Sequence, residues 1–510
     1  MLWIGLHLPL LPLESFLATL PAGDGSDEPA VALVEAHRIV HANANAQALG
    51  VKPGLKRATA LALAPQLLIG QADALRDRQA LASVAHAALA FTPAVSFTLP
   101  QGVLLEVEAS LRYFGGLDAL LQRLREALRP LGHALHCVST PTAQGSALLA
   151  RSVDGLHCAD AAALQRALDA APVWLLGPGR EHWEALQGMG LNTLGDLRSL
   201  PRAGVTRRFG EALLIELDGA LGRRPDPRAS IELPASFDSA LELFARADTT
   251  EQVMHGVEVL LARLVAWLSA QHAFVRRFSL LMKHEPRWRR DDRTPLHTTL
   301  EIALAEPSRD PKHLMALLRE RLSQLALPAP TLELALRASD IARQPPPNAE
   351  LFPTPRSERE GLTRLLERLQ ARLGRERVQR VLPVQDHRPE RGSRMCAAQL
   401  DGPLPRGGAA PPLRRAELLQ QGALVRPVWL LPQAMPLPQK QSQPMFDGHL
   451  LQLLAGPERI EAGWWDGDAV ERDYFIAQLP DGALVWIYRA RLPLSAQSEG
   501  EGWFLQGRFG

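Results

Sequence analysis

Short apolar runs alternate with helical periods through the first 150 residues, and the alternation resumes after residue 236. A chain with this rhythm folds as layers of helix on sheet, because each run can bury its apolar side only against another element. Residues 2–8 (LWIGLHL) predict a buried strand, followed by the start of a helix. AVALVEA and RIVHANA predict two short strands. Helical periods cover roughly 43–49, 57–63 and 74–90, and a strand is expected near 102–108 (GVLLEVE). From Leu117 to Leu128 the apolar spacing is that of an amphipathic helix. A strand (133–139) and a helix (142–151) follow.

Residues 172–222 read as short helices punctuated by glycine. Within them EALQGMGLNTLGDL predicts helix, Gly-Met-Gly hairpin, helix. After the segment GRRPDPRAS the second unit begins with a strand at 240–245. Asp248 and Glu251 suggest a capping box for a helix running to about Ser269. Strands at 274–282 and 296–304, a helix opened by Asp310 and Pro311, and a last strand alternating Leu332, Leu334 and Leu336 complete the order β-α-β-β-α-β. Beyond 341 the chain turns Pro-rich. Residues 356–381 look helical, and 382–445 look loop-dominated. The last 60 residues are aromatic and strand-like.

Bulk properties narrow the function classes. The length of 510 residues implies several domains. A hydrophobic share of 46% with 22% charged residues is globular. The net charge of +1 announces no nucleic-acid partner, so any basic surface must be local. Cys137, Cys158 and Cys396 form neither a disulfide framework nor a zinc spacing, which fits a reducing cytoplasm. The apolar N-terminus lacks a basic leader and is broken by Pro9, Pro12 and Pro21, so it reads as strand and helix rather than signal peptide. No unbroken apolar run of about 18 residues suggests a membrane span.

The opening LWIGLHLPLLPLE, the stretch HRIVHANANAQALGVKPGLKRATALALAPQL and the tail RDYFIAQ…VWIYRARL…GWFLQGRF resemble the Y-family (translesion) DNA polymerases. Within that family they are most similar to a polymerase-like branch from bacterial damage-induced mutagenesis complexes. The resemblance implies an α/β and α+β multidomain fold. Palm and fingers would span 1–165 (fingers about 31–75), a helical thumb with a helix-hairpin-helix 166–222, and a linker 223–235. A β-α-β-β-α-β little finger would span 236–340, and a Pro-rich linker with a clamp-binding motif 341–355. A helix and flexible region (356–445) and a β-rich, partner-binding C-terminal module (446–510) would follow.

In active members of the family, carboxylates hold two Mg²⁺ ions. Aligned here, the positions of the first pair carry His7 and Pro9, and those of the second pair carry Gln101 and Gly102. The Tyr and Arg that grip the incoming triphosphate are replaced by Ala44 and Gln47, and 142–151 offers no lysine. Pro and Gly supply no side-chain ligand, and His and Gln are poor ones for a hard cation. The expectation is therefore a non-catalytic protein with neither metal nor cofactor. The alternative is a low-activity polymerase using non-standard ligands, with Glu106 and Glu108 sharing a strand face and Glu14 following a proline-broken segment.

Three contact functions remain. Residues 276–293 hold seven basic and three acidic residues, and with the thumb they nominate Arg276, Arg277, Lys283, Arg287, Arg289, Arg290, Arg207 and Arg208 for sequence-independent DNA contact. The hairpin glycines Gly188 and Gly190 would expose backbone N–H groups to a phosphate. Asn348, Glu350, Leu351 and Phe352 resemble the bacterial sliding-clamp pentapeptide, with Asn in place of its leading Gln. Trp464, Trp465, Tyr474, Phe475, Trp486, Trp503 and Phe504 either form the core of a small β module or anchor partners. The resemblance implies an ImuA-type, RecA-like protein and an error-prone C-family DNA polymerase as those partners, and a bacterial, nucleoid-associated location.

Overall fold

The structure is a computed structural model that describes residues 1–21, 29–286, 295–343, 355–398, 426–427, 429–491 and 502–509. The chain divides into two compact units, Met1–Arg372 and Leu373–Gly510.

The first unit opens with β1 (Trp3–His7), whose apolar residues are buried on both faces, and α1 (Leu11–Leu17). Then come β2 (Val31–Glu35), β3 (Arg38–Ala42), α2 (Ala44–Ala48), α3 (Arg57–Leu63), β4 (Leu68–Gln71) and α4 (Ala74–Leu89). Next are β5 (Val95–Thr98), β6 (Gly102–Glu106), α5 (Leu111–Phe114), α6 (Leu117–Leu128), β7 (His136–Thr140) and α7 (Ala143–Ala150). Strands β5-β6-β1-β7 form one sheet, and β3-β2-β4 form a smaller one. The sequence reading did not anticipate β4, β5 or α5. Each is only four residues long, too short for a period to declare itself. Gly5 is required where it stands, because a Cβ there would collide with the backbone of Ser146 in α7.

Six short helices follow, α8 (Ala161–Ala170), α9 (Gly177–Glu181), α10 (Trp183–Gly188), α11 (Leu194–Ser199), α12 (Arg202–Phe209) and α13 (Ala212–Ala220). They share a core with α7 through Leu148, Leu164, Leu186, Leu197 and Leu217. The segment after them is held to the first sheet. Arg228 donates to Gln144 at 2.5 Å, and the Ile231 N–H donates to the Val95 carbonyl at 2.8 Å.

The second α/β layer is β8 (Phe237–Ala247), α14 (Thr250–Ala270), β9 (Phe274–His284), β10 (His297–Ser308), α15 (Pro311–Ser323) and β11 (Thr331–Ala342), with sheet order β10-β9-β11-β8. The cap of α14 differs from expectation. Thr249 and Gln252 form the capping box, one residue beyond Asp248 and Glu251. The extended backbone of Thr249 aims its hydroxyl at the Gln252 N–H, while the Gln252 side chain accepts from Asp248 and Thr249. By length and composition α14 could cross a membrane. Its all-round apolarity has a nearer cause, since one side packs on the sheet and Ala266 joins the core around β1 and α4.

Helix α16 (Pro355–Leu373) packs on this layer through Ala371, and Glu367 meets His313 at 2.8 Å in a buried pair. Its end comes at Leu373 rather than near 381, because Gly374 turns left-handed (φ 89°).

The second unit is almost wholly β. A hairpin of β12 (Gln379–Pro383) and β13 (Ser393–Ala397) begins where helix was expected and ends where loop was expected, and β14 (Trp429–Leu437), β15 (Gln439–Lys440) and most of β16 (Gln443–Phe446) also lie where loop was expected. Prolines in β14 and β16 hid these strands from a pattern reading. After β17 (His449–Leu450), long strands β18 (Gln452–Ala462), β19 (Val470–Gln478), β20 (Leu484–Ala490) and β21 (Trp503–Arg508) complete an antiparallel sheet of order β14-β21-β20-β19-β18.

Candidate functional site at the open end of the first sheet

The four positions aligned with metal carboxylates converge in space. His7 ends β1 and lies opposite Gly102 on β6 and His136 on β7. The next residue, Leu8, donates its N–H to the Gln101 carbonyl at 2.9 Å, and Pro9 follows it. The four positions therefore share one end of the sheet. The His7 and His136 rings lie 6.2 Å apart. Burial pushes the His7 imidazole down to about 4, helped by His136 and Arg151 and opposed by a hydrogen bond to the Gln101 carbonyl. His7 is neutral at pH 7, and the nearest charge that acts on it is cationic. Two Mg²⁺ ions need anionic oxygens here, and these residues do not fit them.

The nucleotide-gripping positions are equally changed. Asn43 caps α2, accepting from the Ala46 and Val31 N–H groups and donating to the Pro29 carbonyl. This leaves Ala44 and Gln47 on the exposed side of α2, and Gln47 donates back to the Ala42 carbonyl at 2.7 Å.

The structure corrects the alternative ligand set. Glu106 pairs with Trp3 at the opposite end of β1 from His7, four residues and so about 14 Å away. Glu108 is not on the strand at all. It lies in a 3₁₀ turn and pairs with the N-terminal ammonium of Met1. Glu14 accepts from the Ala134 N–H at 2.9 Å and meets His133 at 3.2 Å. The three carboxylates are dispersed and already engaged. Among the described residues no cluster of three or more His, Cys, Asp or Glu side chains is placed to hold a metal ion.

The helix-hairpin-helix is present as α10 and α11, with Gly190 at φ 77°, but its amides are not on offer. Met189, Gly190 and Leu191 donate to carbonyls of Leu186 and Gln187. Asn192 and Thr193 donate to the Asp196 carboxylate, and these bonds hold its pKa below the usual range. An anionic side chain thus occupies the place proposed for a phosphate near Gly188 and Gly190. Arg207 and Arg208 are exposed on α12.

Arg276, Arg277 and Lys283 are exposed on β9, and Lys283 pairs with Glu333 at 3.0 Å. Strand β9 is interior to its sheet, and β10 and β8 are the edges. Arg277 and Lys283 alternate with the core residues Phe278, Leu280 and Met282, so they rise from the face of the sheet turned away from that core. Arg287, Arg289 and Arg290 lie outside the described residues, as do Asn348, Glu350, Leu351 and Phe352.

The tail aromatics separate into two groups. Tyr474, Trp486 and Trp503 are buried and Phe475 and Phe504 half-buried, so they serve the sheet's own core. Trp464 and Trp465 stand in the open between β18 and β19.

Across nearly its whole length the chain matches Protein ImuB of Caulobacter vibrioides strain NA1000, with 29% identity over 477 residues, covering 91% of this chain and 100% of that protein. The chain is a relative of the ImuB proteins. ImuB of a second Caulobacter vibrioides strain, ATCC 19089, matches it to the same extent. No protein-family profile matches this ImuB relative. Similar solved structures include a Dbh ternary complex (16% identity, TM-score 0.37, covering 67% of this chain and 99% of that one). DinB from Sulfolobus solfataricus is another (17% identity, TM-score 0.37, 68% and 100%). In the ImuB relative, sequence reasoning missed His136 and Arg151 beside His7, and it missed Arg388, which holds the Trp464–Trp465 turn. Each acts across a sequence gap that only the fold closes, and no local pattern marks it.

Proposed function

We propose that this ImuB relative is a non-catalytic scaffold of a damage-induced translesion synthesis complex. It binds primer-template DNA and the sliding clamp, and it recruits an error-prone C-family polymerase and an ImuA-type partner. The observation that carries the reading is the sheet end where His7, Gln101, Gly102 and His136 meet without a carboxylate. Charge stabilisation by two metal ions is worth several kcal/mol in such reactions, and each 1.36 kcal/mol is about tenfold in rate. A neutral imidazole beside arginine supplies none of it. Exposed Arg276, Arg277, Arg207 and Arg208 support phosphate contact, and the linker motif ending in Leu351 and Phe352 supports clamp contact.

The test is primer extension on undamaged and lesion-bearing templates with Mg²⁺ or Mn²⁺. The purified chain should extend nothing alone. With the clamp and a C-family polymerase present, adding it should raise lesion bypass. Robust extension by the chain alone, abolished by Glu106→Ala with Glu108→Ala, would reverse the reading.

A further inference from the structure

The turn between β18 and β19 holds two tryptophans in the open, with Trp464 79% and Trp465 53% exposed. Exposed indole is costly surface, yet this turn is fixed with unusual thoroughness. Arg388, on the hairpin loop between β12 and β13, is 1% exposed. Its Nε and Nη2 donate to Asp386 at 3.0 and 2.7 Å, and its Nη1 donates to the Asp466 carboxylate and the Asp468 carbonyl, each at 3.0 Å. Its Nη2 also reaches the Asp466 carboxylate at 2.5 Å. Arg391 holds Asp466 and Asp468 from outside at 2.9 and 2.7 Å. Gly463 is left-handed (φ 82°), and a Cβ on it would strike the Asp468 carbonyl.

The guanidinium of Arg388 supports one ring as well, lying 5.6 Å from the Trp465 centroid. The two indoles stand 5.4 Å apart at 83°, edge to face, so their planes form an L-shaped notch. Neither indole N–H has an acceptor among the described residues. The surface therefore offers two ring faces and two donors, with the Asp468 side chain 58% exposed beside them. Holding these groups in place beforehand lowers the ordering cost of binding.

We infer that this notch binds an extended, proline-containing and arginine-flanked segment of a partner protein, an inference that rests on reading the tail as a recruiting module. Proline has no N–H, so a polyproline segment presents ring surface and carbonyl acceptors, the complement of indole faces and indole donors. A flanking arginine finds the Asp468 carboxylate, which stands 58% exposed beside its Arg391 contact. Unpaired nucleic-acid bases also stack on indoles. Here three carboxylates (Asp386, Asp466, Asp468) face two guanidiniums (Arg388, Arg391), a balance that disfavours phosphate.

The experiment uses the full chain and two probes, a labelled (Pro-Pro-Leu-Pro-Arg)₂ peptide and a short oligothymidylate, followed by anisotropy. The peptide should bind. Trp464→Ala and Trp465→Ala should each weaken it at least about tenfold at unchanged melting temperature, while Trp429→Ala, at an exposed site on β14, leaves it unchanged. No peptide binding by the parent chain, equal loss in Trp429→Ala, or loss of oligothymidylate rather than peptide would overturn the inference. Capture of the C-family polymerase and the ImuA-type protein separates the two levels. Capture by the parent that ignores Trp464→Ala sinks the notch and leaves the recruiting reading standing. Absence of capture by the parent, with peptide binding intact, sinks the recruiting reading alone.

Discussion

His86, near the end of α4, is pushed down to about 4 by burial alone. Its ordinary value is 6.5, so below that pH the unfolded chain binds a proton that the folded chain refuses. Stability from this residue is complete above pH 6.5 and falls as pH drops toward 4. The difference, 6.5 minus 4, corresponds to at most about 3 kcal/mol. His7 acts in the same direction, with a smaller effect because it is more exposed. His86→Gln should therefore flatten the acid limb of a stability profile measured by urea unfolding between pH 7 and 4.5, and parallel profiles would refute it. A second residue-scale test is Gly463→Ala. The left-handed backbone and the crowded Asp468 carbonyl predict a loss of about 2 kcal/mol or more, confined to the second unit and visible as a lowered melting transition. Neither residue announced itself in the sequence. A lone histidine or glycine carries no sign of its burial or its φ, whereas the missing carboxylates at His7, Pro9, Gln101 and Gly102 were legible once strand ends were aligned.

At the scale of elements, periodicity located most of the long helices and strands, missed β14, and failed where chemistry is shared between neighbours. The capping box of α14 sits one residue later than expected, where the extended Thr249 accepts the Gln252 N–H through its hydroxyl. The hairpin of α10 and α11 was recognisable, but the role of Asp196 as its internal anion depends on a carboxylate reaching back over its own N-terminus. The hairpin and the β9 arginines therefore separate in a binding experiment. Arg276→Ala and Arg277→Ala should each weaken DNA binding on any sequence and lower the slope of log K against log salt by about 0.9. Gly190→Ala strains a left-handed position and should lower thermal stability while leaving that slope unchanged. A slope that falls with Gly190→Ala and not with the arginine variants would return the phosphate contact to the hairpin.

For the molecule as a whole, the proposed scaffold role requires surfaces that bring other proteins to DNA. The proposed clamp contact rests on sequence alone, because such a motif is a local string needing no fold to be read. Leu351 and Phe352 would fill an apolar pocket while the backbone runs alongside as an extended strand. Leu351→Ala with Phe352→Ala should weaken clamp affinity at least about tenfold. DNA affinity without the clamp should be unchanged, since no cation is removed. Asn348 gives a test in the opposite direction. It is one methylene shorter than the glutamine that leads the usual motif, so Asn348→Gln should tighten clamp binding. Surface plasmon resonance on immobilised clamp would register both changes. If the double alanine variant keeps parental affinity while Asn348→Gln gains nothing, the pentapeptide is not the contact. The chain would then reach replicating DNA through its own cationic face alone, and lesion bypass by a separate polymerase should lose its dependence on the clamp.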